Sequence, residues 1–175
     1  MRRFLPTVAL LLALAGVAAG CLPPSEPFQN GRFPDSALTT VTPSCRIAND
    51  VADPLGRLIY ASWMDGVVVF PEESSFTAPL PGPPRIESCY RSYEMQEWWR
   101  NFYCFFGTCH YAAVPGTSIH GWGRAVDFQD GYGKLTFDSP GYQWLKANAW
   151  RWGFVHPAWA EPGGSAPEPW HWEHA

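Results

Sequence analysis

The strongest constraint on the fold lies in a ten-residue segment, SIHGWGRAVD at residues 118–127, in which two glycines separate a histidine from an aspartate. Asp127 follows His120 by seven positions, a spacing that would return both side chains to one face of a helix. Gly121 and Gly123 disfavour a helix, because glycine loses the most conformational freedom on folding. We therefore predict that His120 lies on a loop and that Asp127 lies on the strand behind it.

A histidine and an aspartate supply two of the side chains that a zinc ion requires. Zinc takes about four N, O or S ligands, and a catalytic zinc keeps one position for water. Near the C-terminus, the sequence Glu-Pro-Trp-His at residues 168–171 offers a third ligand in His171. Glu168 is placed to take a proton from a bound water, whose pKa the metal lowers to about 7. These residues predict one zinc ion per chain, bound by His120, Asp127 and His171.

The residues alone leave a second candidate for the proton-accepting group. If residues 170–173 form a strand, His171 and Glu173 point to the same face, whereas Glu168 lies on the loop before that strand. Strand alternation by itself would favour Glu173. Both carboxylates therefore stay open at this point.

The motifs closely resemble those of the zinc D-Ala-D-Ala peptidases, a family that includes carboxypeptidases and dipeptidases of vancomycin resistance and shares its fold with the Hedgehog signalling domain. The family pattern S-x-H-x-x-G-x-A-x-D is matched at every defined position of residues 118–127, and E-x-x-H is matched at 168–171. A third segment, Tyr-Arg-Ser at residues 90–92 followed by Gln96, is also matched. The resemblance extends from about residue 89 to the C-terminus.

The resemblance implies a role for each matched residue. It makes His120, Asp127 and His171 the zinc ligands. It makes Glu168 the general base and Arg91 the cation that stabilises the tetrahedral oxyanion. A donor aimed at such an oxyanion in a dry site contributes on the order of 3 kcal/mol.

The remaining matched residues are implied to contact the substrate or to support the ligands. Ser118 is expected to hold the terminal group of the substrate, and Gln96 is expected to be a further substrate-binding residue. The E-x-x-H spacing of the family favours Glu168 over Glu173 as the base. Glu173 is then expected to orient His171 or Arg91.

The resemblance implies a zinc metallopeptidase that hydrolyses D-Ala-D-Ala bonds of peptidoglycan stem peptides, which is a D,D-carboxypeptidase activity. One alternative is an endopeptidase with the same ligands, and the loops expected to distinguish the two are residues 71–84, 104–117 and 157–167. The other alternative is a non-catalytic zinc-containing binding module. The presence of Glu168 and Arg91 favours an enzyme over a binding module.

The N-terminus has the pattern of a secretory signal peptide. Two arginines precede an apolar run at residues 8–17, and small residues lead into Cys21. The run is shorter than the ~20 residues of a membrane-spanning helix. Small residues before a cysteine fit lipoprotein processing, although Ala18 stands where a leucine is commonest. We predict a signal peptide at 1–20 and a lipid on Cys21 that anchors the protein to the extracytoplasmic face of the membrane, with secretion to the cell wall as the alternative.

The five cysteines agree with export and lipidation. An odd number leaves one unpaired in an oxidising compartment. A lipid on Cys21 would leave four candidates for disulfides, which are Cys45, Cys89, Cys104 and Cys109. Four cysteines allow three pairings, and the short separation of the last two suggests a local bridge, leaving the first two for each other. A zinc site made from all four is disfavoured, because close C-x-x-C pairs are lacking.

Charge and length limit the class of protein. Twelve basic and sixteen acidic side chains give a net charge of −4, and removal of the signal would take away only basic ones. This balance argues against nucleic acid as a partner. The length suits one domain, and the Pro-, Ser- and Thr-rich residues 21–44 predict a flexible tether before a catalytic domain at 45–175. The sequence does not indicate an oligomeric state.

Short helical and strand patterns alternate along the domain, which predicts an α+β fold. Helices are predicted to begin at Asp53-Pro54, with Trp63 on the apolar face, at Ser92, and at Ser139-Pro140, the last ending at Gly153. Strands are predicted at residues 67–70, 86–90, 124–128, 154–156 and 170–173. The resemblance implies that they form a Hedgehog/DD-peptidase-like single domain, with a small antiparallel sheet and flanking helices around the zinc site.

Overall fold

The computed structural model describes residues 28–73 and 87–175. Within these ranges the elements in chain order are β1 (Leu38–Thr42), β2 (Cys45–Ala48), α1 (Asn49–Met64), β3 (Val69–Pro71), α2 (Tyr93–Phe105), β4 (Ala125–Asp130), β5 (Gly133–Lys134), α3 (Pro140–Asn148), β6 (Phe154–Val155) and β7 (His171–His174). The predicted signal peptide and the predicted lipidation site Cys21 lie outside the described residues. None of the helices in the two ranges has the length and apolar character needed to cross a membrane.

An antiparallel sheet lies at the centre of the fold, with the strand order β3-β4-β7-β6 and with β5 beside β4. Strand β4 pairs with β7 so that Asp127 lies opposite His171 and Ala125 lies opposite Glu173. Strands β1 and β2 form a separate antiparallel hairpin. The mixture of small antiparallel sheets and a few helices confirms the predicted α+β single domain.

The hydrophobic core lies between the central sheet, α1 and α3. Its buried side chains come from all three parts and include Val51, Leu55, Leu58, Val126, Phe128, Leu145 and Trp172. Full burial of one such side chain contributes about 1.5–3 kcal/mol. The core therefore fixes β4 and β7, the two strands that carry predicted metal ligands, as rigid supports.

Helix α1 begins earlier than predicted. It starts at Asn49, and Pro54 lies inside the helix, where its ring nitrogen has no hydrogen to donate to the carbonyl four residues before it. The prediction that Trp63 lies on the buried face is also wrong, because its side chain is 64% exposed. The buried stripe continues instead from Leu58 to Ser62, one residue before Trp63.

The predicted starts of α2 and α3 are confirmed by their caps. The Ser92 hydroxyl accepts a hydrogen bond from the Met95 N–H at 3.2 Å, and the Ser139 hydroxyl accepts one from the Tyr142 N–H at 3.4 Å. Such caps satisfy N–H groups that the first turn leaves unpaired. After α3 the chain tightens into a 3-10 turn that ends at Gly153, whose φ is 77°.

The strand predicted at residues 86–90 is wrong over residues 87–90. This segment is hydrogen-bonded on both sides, since the Ser88 N–H donates to the Ser44 carbonyl at 2.9 Å and the Ser88 carbonyl accepts from the Asp127 N–H at 2.8 Å. Because it divides these bonds between the hairpin and the central sheet, it forms no continuous ladder with either. It joins the two sheets next to the predicted site.

The tether predicted at residues 21–44 is wrong from residue 28 onward. Strand β1 lies in this range and pairs with β2, and the Gly31 N–H donates to the Gly121 carbonyl at 2.7 Å. Backbone hydrogen bonds to distant segments order a stretch that has no regular apolar pattern. The folded domain therefore begins well before the predicted boundary at residue 45.

The described residues contain two disulfides, Cys45–Cys89 and Cys104–Cys109. They confirm the pairing suggested by the cysteine spacing. They also exclude a zinc site made from the four cysteines, because all four are in disulfides. The first disulfide is fully buried and ties β2 to the segment before α2. The second closes the loop that follows α2.

The two disulfides should differ in their contribution to stability. Loop-closure entropy predicts a loss of about 4 kcal/mol for the pair separated by 44 residues and about 2 kcal/mol for the pair separated by 5. Chemical denaturation should show the larger loss for Cys45→Ser/Cys89→Ser, with Cys104→Ser/Cys109→Ser as the matched control. Equal losses, or the reverse order, would contradict this prediction.

Candidate metal centre

The three predicted metal ligands meet at one point. His120 lies on the 3-10 turn Ile119–Trp122, Asp127 on β4 and His171 on β7. His120 Nε2 lies 3.3 Å from Asp127 Oδ1 and 3.2 Å from His171 Nδ1, and the last two atoms are 3.2 Å apart. All three side chains are buried. Residues far apart in the sequence thus form a nearly equilateral triangle of donor atoms.

The triangle fits a tetrahedral zinc ion. Ligand atoms about 2.0–2.1 Å from a tetrahedral centre lie roughly 3.3–3.4 Å from one another, and the observed separations are 3.2–3.3 Å. The donor set of two imidazoles and one carboxylate is also one that zinc accepts. Three protein ligands are the number found in catalytic sites, which leave a position for water or substrate.

The orientation of each histidine is set by its other ring nitrogen. His120 Nδ1 donates to the Cys89 carbonyl at 2.6 Å, and His171 Nε2 donates to Glu173 Oε1 at 3.1 Å. The nitrogens that face the triangle are therefore the ones that would supply lone pairs to a metal, which would displace the proton of His171 on binding. This places Glu173 as the group that orients His171, which was one of the two roles expected of it.

Arg91 binds Asp127, the carboxylate ligand, and also contacts the backbone around the site. Its guanidinium pairs with Asp127 Oδ2, its Nε donates to the Glu87 carbonyl at 3.2 Å, and its backbone N–H donates to the His120 carbonyl at 3.0 Å. Burial alone would raise the pKa of Asp127, but the neighbouring His120 and Arg91 hold that pKa well below its usual value. Asp127 is thus kept as a carboxylate, the form that binds metal.

The two histidines differ in their affinity for protons. Burial and the charge of Arg91 lower the pKa of His120 to about 4. Burial also disfavours a charged His171, but its hydrogen bonds to Asp127 and Glu173 outweigh burial and raise its pKa to about 9. The carboxylates around His171 therefore increase its basicity, which strengthens an imidazole as a metal ligand.

Glu168 lies on the loop that enters β7, and its side chain lines the same cleft as the histidines. Its backbone is held on both sides, since its N–H donates to the Ala160 carbonyl at 2.9 Å and its carbonyl accepts from His156 Nε2 at 3.0 Å. Burial and the charge of Asp127 raise the pKa of the Glu168 carboxyl. A raised pKa brings a carboxylate closer to the range in which it can accept a proton near neutrality.

The metal triangle lies at the base of a cleft of about 700 Å³. Each of the three loops expected to shape the cleft contributes to it. The first contributes Glu72, the second residues 110–113 and Thr117, and the third Trp159, Ser165 and Ala166. Residues 74–84 of the first loop lie outside the described residues. The predicted site residues that line the cleft are Arg91, Gln96, Ser118, His120, Glu168 and His171.

The two predicted substrate-binding residues differ in what they offer. Both amide hydrogens of Gln96 are engaged, with Asn30 Oδ1 and the Arg91 carbonyl at 3.1 Å each, and its Oε1 accepts from the Gly116 N–H at 2.9 Å. Gln96 can therefore offer a substrate little beyond one lone pair. The Ser118 hydroxyl has no hydrogen-bond partner in the described ranges. Contact of either residue with a substrate stays a prediction.

Asn30 is a supporting residue that the sequence did not reveal. Its buried amide accepts from Gln96 Nε2 at 3.1 Å and donates to the Ser118 carbonyl at 2.7 Å. Asn30 therefore connects two segments: the turn on which His120 lies, and helix α2, which follows Arg91. We call Asn30 and Gln96 the amide bracket. A lone asparagine in a Pro- and Ser-rich stretch carries no local signal of this role.

A family model described as VanY, D-alanyl-D-alanine carboxypeptidase, matches residues 83–175. The chain belongs to the VanY family. A D-alanyl-D-alanine carboxypeptidase of Enterococcus faecalis (strain ATCC 700802 / V583) is 39% identical to it over 67 residues, which cover 37% of this chain and 25% of that relative. This VanY-family chain therefore matches about a quarter of the length of the relative.

Solved structures are similar to the VanY-family fold described above. VanYB in complex with D-Ala-D-Ala has a TM-score of 0.57 and 26% identity, covering 78% of this chain and 76% of that one. A variant of a vancomycin-resistance D,D-pentapeptidase VanY in complex with Zn(II) has the same score and identity, covering 81% and 82%. The LD-carboxypeptidase LdcB, at 21% identity and a TM-score of 0.62 over 82% and 70%, supports the fold alone. These likenesses confirm the predicted DD-peptidase-like fold.

The amide bracket predicts that position 121 accepts only glycine. A Cβ at Gly121 would lie 1.9 Å from Asn30 Oδ1 and 2.4 Å from Gln96 Nε2. We expect Gly121→Ala to lower the free energy of unfolding by about 1–3 kcal/mol and to weaken metal binding about tenfold by displacing His120. Chemical denaturation and competition with a chelator measure the two effects.

Gly131→Ala is the matched control, because a Cβ at Gly131 meets no atom within 4 Å. It should leave both quantities unchanged. Adding Asn30→Ala to Gly121→Ala should cost less than the sum of the single changes, because the truncated side chain makes room for the new methyl group. Additive losses, or a Gly121→Ala variant that resembles Gly131→Ala, would contradict the bracket.

Proposed function

We propose that this VanY-family protein is a zinc-dependent D,D-carboxypeptidase that removes the terminal D-alanine from stem peptides of peptidoglycan. The observation that carries the proposal is the buried triangle of His120, Asp127 and His171 at the base of a cleft that Glu168 also lines. Similar proteins solved with D-Ala-D-Ala and with Zn(II) support the choice of substrate and metal.

Different residues of the cleft bind the metal and transfer the proton. A zinc ion on the triangle would act as a Lewis acid and lower the pKa of its water to near 7. Glu168 accepts the proton of the attacking water and then delivers it to the nitrogen of the departing D-alanine. Its half-buried carboxyl, with a raised pKa, suits a group that must take up and release a proton.

Arg91 has N–H groups left for the developing oxyanion. A guanidinium carries five N–H donors, and the hydrogen bonds to Asp127 and Glu87 leave several of them for a substrate. Arg91 would thus both hold a metal ligand and receive the charge of the tetrahedral intermediate. Ser118 offers its hydroxyl to the terminal carboxylate of the substrate.

An endopeptidase is the second candidate, and the observation that favours it is the size of the cleft. A volume of about 700 Å³ exceeds what a terminal dipeptide fills. Digestion of purified sacculi with the zinc-loaded protein, followed by mass spectrometry, distinguishes the two activities. Loss of one D-alanine from pentapeptides supports the carboxypeptidase, whereas cleavage of cross-links without that loss supports the endopeptidase.

Removal of the proposed base should abolish catalysis without removing the metal. Glu168→Gln keeps the size of the side chain but accepts no proton, so kcat should fall by about 10²–10⁴-fold, with one zinc ion per chain retained. D-alanine release from a D-Ala-D-Ala-ended pentapeptide and elemental analysis measure the two quantities. Glu72→Gln, at another glutamate of the same cleft, should leave kcat within a few-fold.

Three outcomes would contradict the assignment of Glu168. Full activity of Glu168→Gln would remove it as the base and return Glu173 as the candidate. If the wild-type protein binds zinc but releases no product from any cell-wall peptide, a zinc-containing binding module becomes the better account. Loss of zinc together with activity would make Glu168 a metal-supporting residue instead.

We further propose that the protein works outside the cytoplasm, anchored by a lipid on Cys21. The signal-peptide pattern of residues 1–20 and the two disulfides, which require an oxidising compartment, support this location. The protein should fractionate with membranes, and Cys21→Ser should move it to the soluble extracytoplasmic fraction. An unmodified wild-type protein found in the medium would refute the anchor and leave ordinary secretion.

A further inference from the structure

Helix α2 and the loop after it carry many aromatic side chains that are exposed or only partly buried. Within this helix only Met95 and Gln96 are buried, and Gln96 belongs to the amide bracket. Six aromatic residues of α2 and the loop after it form a connected surface that we call the aromatic wall. Its members are Trp98, Trp99, Phe102, Tyr103, Phe106 and Tyr111.

The rings of the aromatic wall contact one another along the helix. Trp98 stacks on Phe102 with ring centroids 5.4 Å apart, and Trp99 stacks on Tyr103 at 5.7 Å. Tyr103 then contacts Tyr111 of the following loop at 5.9 Å. Pairs four residues apart lie on one side of a helix, so the wall is a continuous surface. Exposed apolar surfaces of this kind commonly mark binding sites.

The aromatic wall continues from the catalytic cleft onto the surface of the domain. Trp99, Phe102, Tyr103 and Tyr111 line the same cleft as the metal ligands. Phe106, which is 63% exposed, extends the wall beyond them. A ligand whose end reaches the metal centre would therefore lie with its more distant part against these rings.

The outer part of the wall is held rigidly. The Cys104–Cys109 disulfide closes its loop, and Arg100 donates to the carbonyls of Cys109 at 2.6 Å and Ala112 at 2.5 Å. These contacts fix the loop before any ligand binds, which lowers the entropic cost of binding. They also engage Arg100 Nη1 with the backbone of the loop, and the six members of the wall are all uncharged aromatic side chains.

The aromatic character of the wall indicates which part of a cell-wall substrate, peptide or sugar, would bind there. A cleft of about 700 Å³ is of the size that holds a drug-sized ligand, which is larger than an alanine dipeptide. Stem peptides carry carboxylates that an uncharged aromatic surface would not favour. N-acetylated sugars are neutral, and their C–H bonds pack against the negative faces of aromatic rings.

We propose that the aromatic wall is a subsite for an N-acetylated sugar of the glycan strand, so that the enzyme prefers stem peptides still attached to sugar. The inference rests on the proposed function, because the wall begins at the proposed catalytic cleft. It adds a substrate preference to that function. A free pentapeptide would use the metal end of the cleft alone.

The test compares one pentapeptide in two forms, free and attached to its N-acetylated disaccharide, with the zinc-loaded wild-type protein. We expect kcat/KM for D-alanine release to be about tenfold higher for the disaccharide form, mainly through a lower KM. Tyr111→Ser and Phe102→Ala should reduce this preference to less than twofold, because kcat/KM for the disaccharide form should fall more than kcat/KM for the free pentapeptide. Tyr132→Ser changes a residue that is 90% exposed and outside the cleft, so it should keep the preference.

A binding measurement separates failure of the subsite from failure of the proposed function. Peptide-free disaccharide should bind the wild-type protein at least about tenfold more tightly than Tyr111→Ser, whether or not either substrate is cleaved. Equal cleavage of the two substrates together with no binding of the disaccharide would overturn the subsite. Binding to phosphatidylcholine vesicles, or self-association, that is lost in Phe106→Ser without any sugar effect would assign the wall to a membrane or to a second copy, and would overturn it equally.

Discussion

The antiparallel pairing of β4 with β7 is the contact on which the metal centre depends. Its register sets Asp127 directly opposite His171, so that two ligands separated by 44 positions meet on one face of the sheet. Glu173 lies on the same face of β7 and orients His171 through a bond of 3.1 Å. A slip of one residue would turn all of these side chains to the opposite face. The core that fixes the two strands therefore also fixes the chemistry.

His120, the ligand outside the sheet, is held by loops whose backbones are joined by polar side chains. Arg91 contacts both the carboxylate of Asp127 and the carbonyl of His120. The amide bracket joins the His120 turn to α2 and to the segment before β1 that contains Asn30. Burying so many polar groups is costly unless each has a partner. The close approach of Gly121 to the bracket is the steric condition for this arrangement.

The two disulfides stabilise different parts of one binding surface. Cys45–Cys89 lies in the core and supports the carbonyl that orients His120. Cys104–Cys109 shapes the loop that extends the aromatic wall beyond α2. The cleft is therefore lined both by the polar groups of the metal centre and by rings of the aromatic wall. This combination suits a substrate with a reactive peptide end and a larger neutral part.

The sequence by itself indicated the three candidate metal ligands and the caps of α2 and α3, because these features are short local patterns. It left Glu168 and Glu173 both open as the base, and only the family resemblance favoured Glu168. Tertiary structure alone decided that residues 28–44 belong to the domain and that Asn30 supports the site. It also decided that Gln96 donates both amide hydrogens to groups within the protein. It also decided which nitrogen of each histidine faces the metal. The reason is that these properties follow from hydrogen bonds between segments far apart in the chain, which no local pattern records.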